Sequence, residues 1–470
     1  MTPTLSGLDS IKCEFAVPGP GTPLNGVVRW SDTNIDQPSL IVKPTTEDDV
    51  QTSIKIAKSN GLTITVGGGG HGTFVTLDSN ALYLDMANFK AIKLDKSTGI
   101  VEIGGGVTTG EALKALADQG YYTPLPNSNA VGVVGCIIGG GNTPLIGTHG
   151  WMADLVESFR LATAEGKMIE VSSSSTGEDL ALFNALCGAG HGLGVITAVK
   201  TSAFPIKDLN MTDDKIWIRS LVFPPTAIEI AAEAFLKMQR PASSASINVL
   251  FMRSPPGTPA AGSPIIVLGA TVFASAEQGE GHASILFDDE LVGKAIVKNT
   301  EATPIVNLND RYAPYDSRGG HKAIASCRLN NLDISSIKSA FEQWVSVTEK
   351  YPDSRRSILV VGLSDSTKAV QLGNSGATDR FVEGREREFS IMTVTICSED
   401  NTRVALVEYM DTLMKRFREG DLESVPRSFP NNLRFGMNLE ELFSRERLSQ
   451  LRDLKDRWDV DGLFWNPYKQ

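Results

Sequence analysis

Hydrophobic and polar positions in the first 205 residues alternate between the two periods expected of strands and helices. Leu40–Val42 is a short apolar run; Thr46, followed by Glu47, Asp48 and Asp49, has the form of a helix N-cap, and Val50, Ile54 and Ala57 then share one helical face. Asn60-Gly61 ends that helix and Leu62–Val66 predicts the next strand, so residues 39–66 read as one βαβ unit. Ile100–Ile103 and Thr109–Gln119 predict a further strand and helix, stopped by Gly120.

Beyond Pro205 and Pro224-Pro225 the pattern changes. Predicted helices at Thr226–Arg240, Ser336–Lys350 and Thr402–Phe417 alternate with strand-like runs at Ile247–Met252, Ile265–Phe273, Ile358–Leu363 and Met392–Cys397. That alternation predicts an α+β unit, a mostly antiparallel sheet with helices on one face. A last predicted helix, Glu440–Asp456, precedes the tail GLFWNPYKQ, whose three aromatic side chains call for packing back onto the protein. The expected division is residues 1–205, 206–428, and a returning segment 429–470.

Composition narrows the classes. Hydrophobic residues at 41% and charged residues at 21% are those of an ordinary globular chain, and 44 basic against 55 acidic side chains (net −11) repel phosphate backbones, so nucleic-acid binding is not expected. The five cysteines are scattered with no C-x-x-C pair, and no histidine or carboxylate spacing suits a metal. The amino terminus has no basic segment followed by an apolar stretch, and no apolar run is long enough to span a bilayer; the expectation is a cytoplasmic protein without membrane attachment.

The candidate chemistry lies in four glycine clusters: Gly67–Gly72 (GGGGHG), Gly104–Gly106, Gly132–Gly141 (GVVGCIIGGG) and Gly188–Gly194 (GAGHGLG). Glycines at strand ends let backbone approach a ligand and donate amides to anionic oxygens, which implies a phosphate-bearing ligand. Gly67, Gly69 and Gly72 fit G-x-G-x-x-G, but no helix pattern begins there, so a Rossmann site is not expected, and no P-loop motif occurs.

The ordered set, a strand–helix–strand leading to G-G-H, then G-x-x-G-x-x-x-G-G-G, then L-F-x-A-L-x-G-A-G-x-G-x-G-V-I-T, resembles the FAD domain of the berberine bridge enzyme-like family in the vanillyl-alcohol oxidase superfamily. The resemblance implies a two-domain PCMH-type FAD-binding fold with an antiparallel-sheet substrate domain. It implies FAD bound covalently through an 8α-histidyl link at His71. The cysteine of the family's second link falls on Ser128, which cannot form a thioether, so a single attachment is implied. Gly67, Gly68, Gly69, Gly70, Gly72 and Thr73 would cradle the diphosphate. Gly132, Gly135, Gly139, Gly140, Gly141 and Asn142 would line the ribityl path, Val131 would admit O2, and Cys136 stands where the family has histidine. Gly192, Gly194, Val195 and Ile196, with Trp465, Asn466 and Tyr468 of the tail, would support the other side of the cofactor; His191 reads as structural.

The family's catalytic tyrosine falls on Phe429 of Ser428-Phe429-Pro430-Asn431, which cannot take a proton. Replacement candidates cluster in DRYAPYDSRGGH, read as a loop: Tyr312, Tyr315 and His321, beside Asp316 and Arg318. The resulting expectation is an FAD-linked oxidase of a small organic molecule, in secondary-metabolite biosynthesis, with hydride passing to flavin N5 and then to O2. The alternative carried by Phe429 is a non-redox cyclase or isomerase with an architectural flavin.

Overall fold

The computed structural model describes residues 5–19, 26–258, 260–375, 379–422 and 425–468. Strand Leu40–Lys43, helix Glu47–Asn60 and strand Thr63–Gly67 form where the pattern places them. Thr46 accepts from the Asp49 amide while the Asp49 side chain accepts from the Thr46 amide, a closed capping box, and Val50, Ile54 and Ala57 are buried. The two strands lie parallel in one sheet, as a βαβ unit has them, but not side by side. Ala81–Asp85 lies between them, parallel to both, and Glu14–Ala16 adds an antiparallel edge. All five residues of Ala81–Asp85 are buried, as a central parallel strand requires.

A second sheet is antiparallel throughout, in the order Ile92–Asp95, Ile100–Gly104, Val195–Ser202, Val156–Ala162, Met168–Ser172. Its buried face packs on helices Thr109–Ala117 and Gly177–Ala189.

The third large sheet has seven antiparallel strands in the order Val297–Pro304, Lys215–Phe223, Pro264–Val272, Ala245–Arg253, Ile358–Ser364, Phe389–Cys397, His321–Leu329. Helices Ile228–Lys237, Ile334–Lys350 and Asp400–Glu419 cover one face, where Phe251 meets Phe341 edge-on at 4.9 Å and Trp344 is wholly buried. Three of these strands escaped the pattern. Val297–Pro304 is an exposed, polar edge, Lys215–Phe223 is interrupted by Arg219, and His321–Leu329 is built largely of small residues. The segment read as a loop is a 3₁₀ helix, Asp310–Tyr315, and His321 opens a strand.

The last helix, Arg445–Trp458, packs on Gly177–Ala189, and the tail returns to the first sheet. The Ile64 amide donates to Leu463 at 2.8 Å and the Trp465 amide to Ile64 at 2.9 Å. The buried Asp459 carboxylate fixes this turn. It accepts from the Leu463 amide at 2.7 Å and the Phe464 amide at 2.9 Å and pairs with the Lys455 ammonium, which also donates to the Gly192 carbonyl. Removing one partner of a buried pair strands the other charge. Asp459→Ala is expected to destabilise the protein by about 3–5 kcal/mol, read as a fall in the urea midpoint.

Candidate active site

Two glycine loops meet at the carboxyl end of Thr63–Gly67. A Cβ on Gly69 would lie 2.3 Å from the Gly132 nitrogen and 2.7 Å from the Ala130 carbonyl oxygen, so no larger residue lets these backbones touch. Gly70 has φ +68°, and a Cβ there would lie 2.0 Å from the Val28 oxygen. The Gly104–Gly106 cluster closes on the same loop, with the Gly105 oxygen 3.2 Å from where a Gly68 Cβ would stand. Gly105 in turn donates to Thr197 at 2.9 Å, beside Ile196.

The amides from Gly68 to Thr73 donate to no acceptor among the described residues, and all six residues are half-exposed. A run of unspent donors on a rigid loop is an anion cradle. Asn431 secures the third glycine run: its side-chain oxygen accepts from the Gly141 amide at 3.2 Å and its amide donates to the Cys136 carbonyl at 3.0 Å. Gly135 and Asn142 are exposed; Gly132, Gly139, Gly140 and Gly141 are buried, and Val131 is half-buried. The Cys136 thiol is pushed up to about 12 by burial, which makes it an inert packing group.

His71 stands at the end of the cradle, its ring stacked on Trp30 with centroids 4.1 Å apart and planes 13° apart. Burial, and next the Lys322 charge, bring its pKa down to about 4, so the imidazole is neutral at physiological pH. Trp30 is itself fixed on several sides. Its amide donates to the Gly70 carbonyl at 2.9 Å, its indole N–H to the Tyr315 carbonyl at 2.7 Å, and its own carbonyl accepts from Lys322 at 2.8 Å. Arg29 donates to the Gly72 and Val75 carbonyls at 2.8 and 2.6 Å, holding the far end of the loop. No hydrophobic period marks Val28–Ser31 in the sequence; an Arg-Trp pair within an apolar stretch was the only available signal.

The 310–321 segment reaches the cradle from the seven-stranded sheet. Ser128 donates to the Asp316 carboxylate at 2.6 Å. Tyr315 packs in the apolar group formed by Trp30, Ile358, Val394 and Ile396, and burial raises the phenol pKa of both Tyr312 and Tyr315. His321 lies on the helix-covered side of its strand, with Thr33 Oγ1 3.4 Å from its Nδ1 and Asp400 3.8 Å from its Nε2. Phe429 is buried against Trp151, centroids 5.4 Å apart, under the Arg328 guanidinium.

On the other side, the Asn466 side chain accepts from the Tyr468 amide at 2.8 Å and the Trp465 indole donates to Thr76 at 2.6 Å. His191 lies edge-on to Phe74, and Gly194 leads into strand Val195–Ser202, which carries Ile196. The Tyr468 hydroxyl and His191 Nδ1 are buried polar atoms without a protein partner among the described residues. Unspent amides, close-set glycine backbones and these orphaned atoms fit a large, polar, phosphate-bearing cofactor such as FAD.

Comparison with known proteins agrees. Residues 38–172 match the FAD binding domain family. The FAD-linked oxidoreductase hasG of Aspergillus fumigatus is 26% identical over 93% of this chain and 93% of its own length. BBE-like 1 of Physcomitrella patens superposes with a TM-score of 0.80 at 18% identity, over 98% of this chain and 97% of its own. Glucooligosaccharide oxidase from Acremonium strictum, described as carrying a 6-S-cysteinyl, 8α-N1-histidyl FAD, superposes at 0.79 with 16% identity, over 98% and 97%. The fold and the cradle define an FAD-dependent oxidoreductase of the PCMH type. Within that fold the chain is similar to berberine bridge enzyme-like structures, and the curated relatives it matches are named FAD-linked oxidoreductases. No helix of the described residues is long and apolar enough to cross a membrane.

Because the Gly69–Gly132 approach leaves no room for a methyl group, Gly69→Ala should part the two loops. The purified variant is expected to lose the yellow flavin absorbance while retaining the far-ultraviolet circular dichroism of the parent.

Proposed function

We propose that this protein is an oxidase of a small, largely apolar organic molecule, with FAD tethered through His71 alone and O2 as the final acceptor. The observation that carries the reading is His71: a neutral, half-exposed imidazole held flat on Trp30 at the end of an unspent run of amides. Gly67–Gly70, Gly72 and Thr73 would receive the diphosphate, and Gly132, Gly135, Gly139–Gly141 and Asn142 the ribityl chain. Gly194, Ile196, Asn466 and Tyr468 would back the remaining edge. A bound flavin supplies a two-electron acceptor that O2 reoxidises, with hydrogen peroxide as by-product. Val131, half-buried beside the cradle, suits an open path for O2.

The substrate floor is the uncovered face of the seven-stranded sheet, where Leu250, Met252, Ile324, Val360 and Met392 are half-exposed beside Tyr315. Those side chains favour an apolar body over a carbohydrate. Substrate oxidation also needs a proton acceptor, and Phe429 provides none. Burial makes Tyr312 and Tyr315 reluctant to ionise, and His321 is turned to the helices, so the acceptor this geometry favours is Asp316, oriented by Ser128 at the cradle. The relatives named FAD-linked oxidoreductases support the redox reading, and a tailoring role in secondary metabolism is part of this proposal.

Acid precipitation followed by peptide mass mapping tests the tether. Flavin should remain with a peptide containing His71 and be absent from one containing Ser128; a colourless precipitate under a yellow supernatant refutes it. Asp316→Asn should keep its flavin but reduce flavin by substrate about 10²–10⁴-fold more slowly, measured by anaerobic stopped-flow at the flavin band. A parental rate of flavin reduction would assign the proton to another group.

A further inference from the structure

Lys322 is a buried cation that the proposed chemistry leaves without a task. It is 2% exposed and makes no ion pair among the described residues. Its protons go to main-chain carbonyls, Trp30 at 2.8 Å and Gly319, and its ammonium lies 5.2 Å from the centroid of the Trp30 indole. A buried ammonium that gives its protons to carbonyls is costly to desolvate, and the carboxylate acting on it, Asp32, forms no direct ion pair with it. Its neighbours form one stack: ammonium against indole, indole against the His71 imidazole at 4.1 Å.

We infer that Lys322 is a positioning residue for the flavin tether: by binding the Trp30 carbonyl and lying against its indole, it fixes the plate on which His71 presents its ring to the cofactor's 8α carbon. This rests on the tethered reading of His71. Tethering joins the 8α carbon to an imidazole nitrogen. One C–H proton and the imidazole N–H proton leave, and two electrons pass through the flavin to O2, which departs as hydrogen peroxide. The nitrogen must therefore be unprotonated and in line. The charged groups acting on His71 are Lys322 and Arg29, both cations, and no carboxylate opposes them there. With burial they hold the ring neutral, while the cation–indole contact holds it flat.

The test compares Lys322→Met, Lys322→Gln and Lys322→Arg holoenzymes with the parent, measuring total flavin per chain, the share that stays with acid-precipitated protein, and the thermal midpoint. Lys322→Met and Lys322→Gln should bind flavin as fully as the parent yet tether it about tenfold less or worse, and Lys322→Arg, which keeps the charge, should restore tethering. Parental tethering in either neutral variant overturns the assignment, as does a loss of tethering that merely tracks total flavin and thermal midpoint. A parent that holds no tethered flavin refutes the His71 reading itself, and this inference with it; tethering in the parent but not at His71, seen by peptide mapping, does the same.

Discussion

The constraint on which the site rests is the meeting of two backbones at Gly69 and Gly132, where even a methyl group has no space. Everything that makes this chain a flavoprotein follows from that approach. It brings the loop after the first sheet and the loop before Val133–Ile137 into one hollow, leaves the amides of Gly68 to Thr73 unspent, and fixes the point at which His71 must emerge. A protein ordinarily spends its main-chain donors on itself; a half-exposed run left unspent is paid back only when an anionic ligand arrives.

From the cradle the order spreads through aromatic plates and buried cations. Arg29 and Lys322 hold main-chain carbonyls on either side of His71, and Trp30 couples the loop to Tyr315 and so to the seven-stranded sheet. The sheet's two faces divide the work. The helix-covered face, around Phe251, Phe341 and Trp344, supplies the apolar burial that holds the sheet together. The uncovered face stays half-exposed, which costs hydrophobic stability but leaves a floor for a ligand. At the other end, Asp459 and Lys455 join the tail to the Gly192 loop, so the amino- and carboxyl-terminal segments brace one hollow from opposite sides.

Much of this was legible in the sequence. The capping box at Thr46, the glycine clusters and the helices over the seven-stranded sheet carry strong local signals, and the fold they imply is the one observed. The failures share a cause. Lys322 and Arg328 occupy alternate positions of a strand of small residues, where charge ordinarily marks the solvent side; here both are buried, their protons given to carbonyls. Trp30 lies outside any periodic segment, and its meeting with His71 is a product of tertiary approach alone. The βαβ pattern left the order of the first sheet open, because Ala81–Asp85, inserted between two strands joined by a helix, leaves no mark on that helix.

Position decides chemistry at Asp316 in the same way. In sequence it is one titratable residue among several in DRYAPYDSRGGH, and nothing local ranks it above Tyr312 or His321. In the fold, the Trp30 bond to Tyr315 pins the preceding residue, and Ser128 then takes the carboxylate at 2.6 Å. Two tethers from separate segments thus hold the stretch that carries our proposed acceptor, while burial raises the phenol pKa of Tyr312 and Tyr315 and strand alternation carries His321 to the opposite face. With phenylalanine at 429, the proposed reaction needs an oxygen held firmly on another wall, and we assign that role to the Asp316 carboxylate, which Ser128 holds on a segment pinned at the Tyr315 carbonyl.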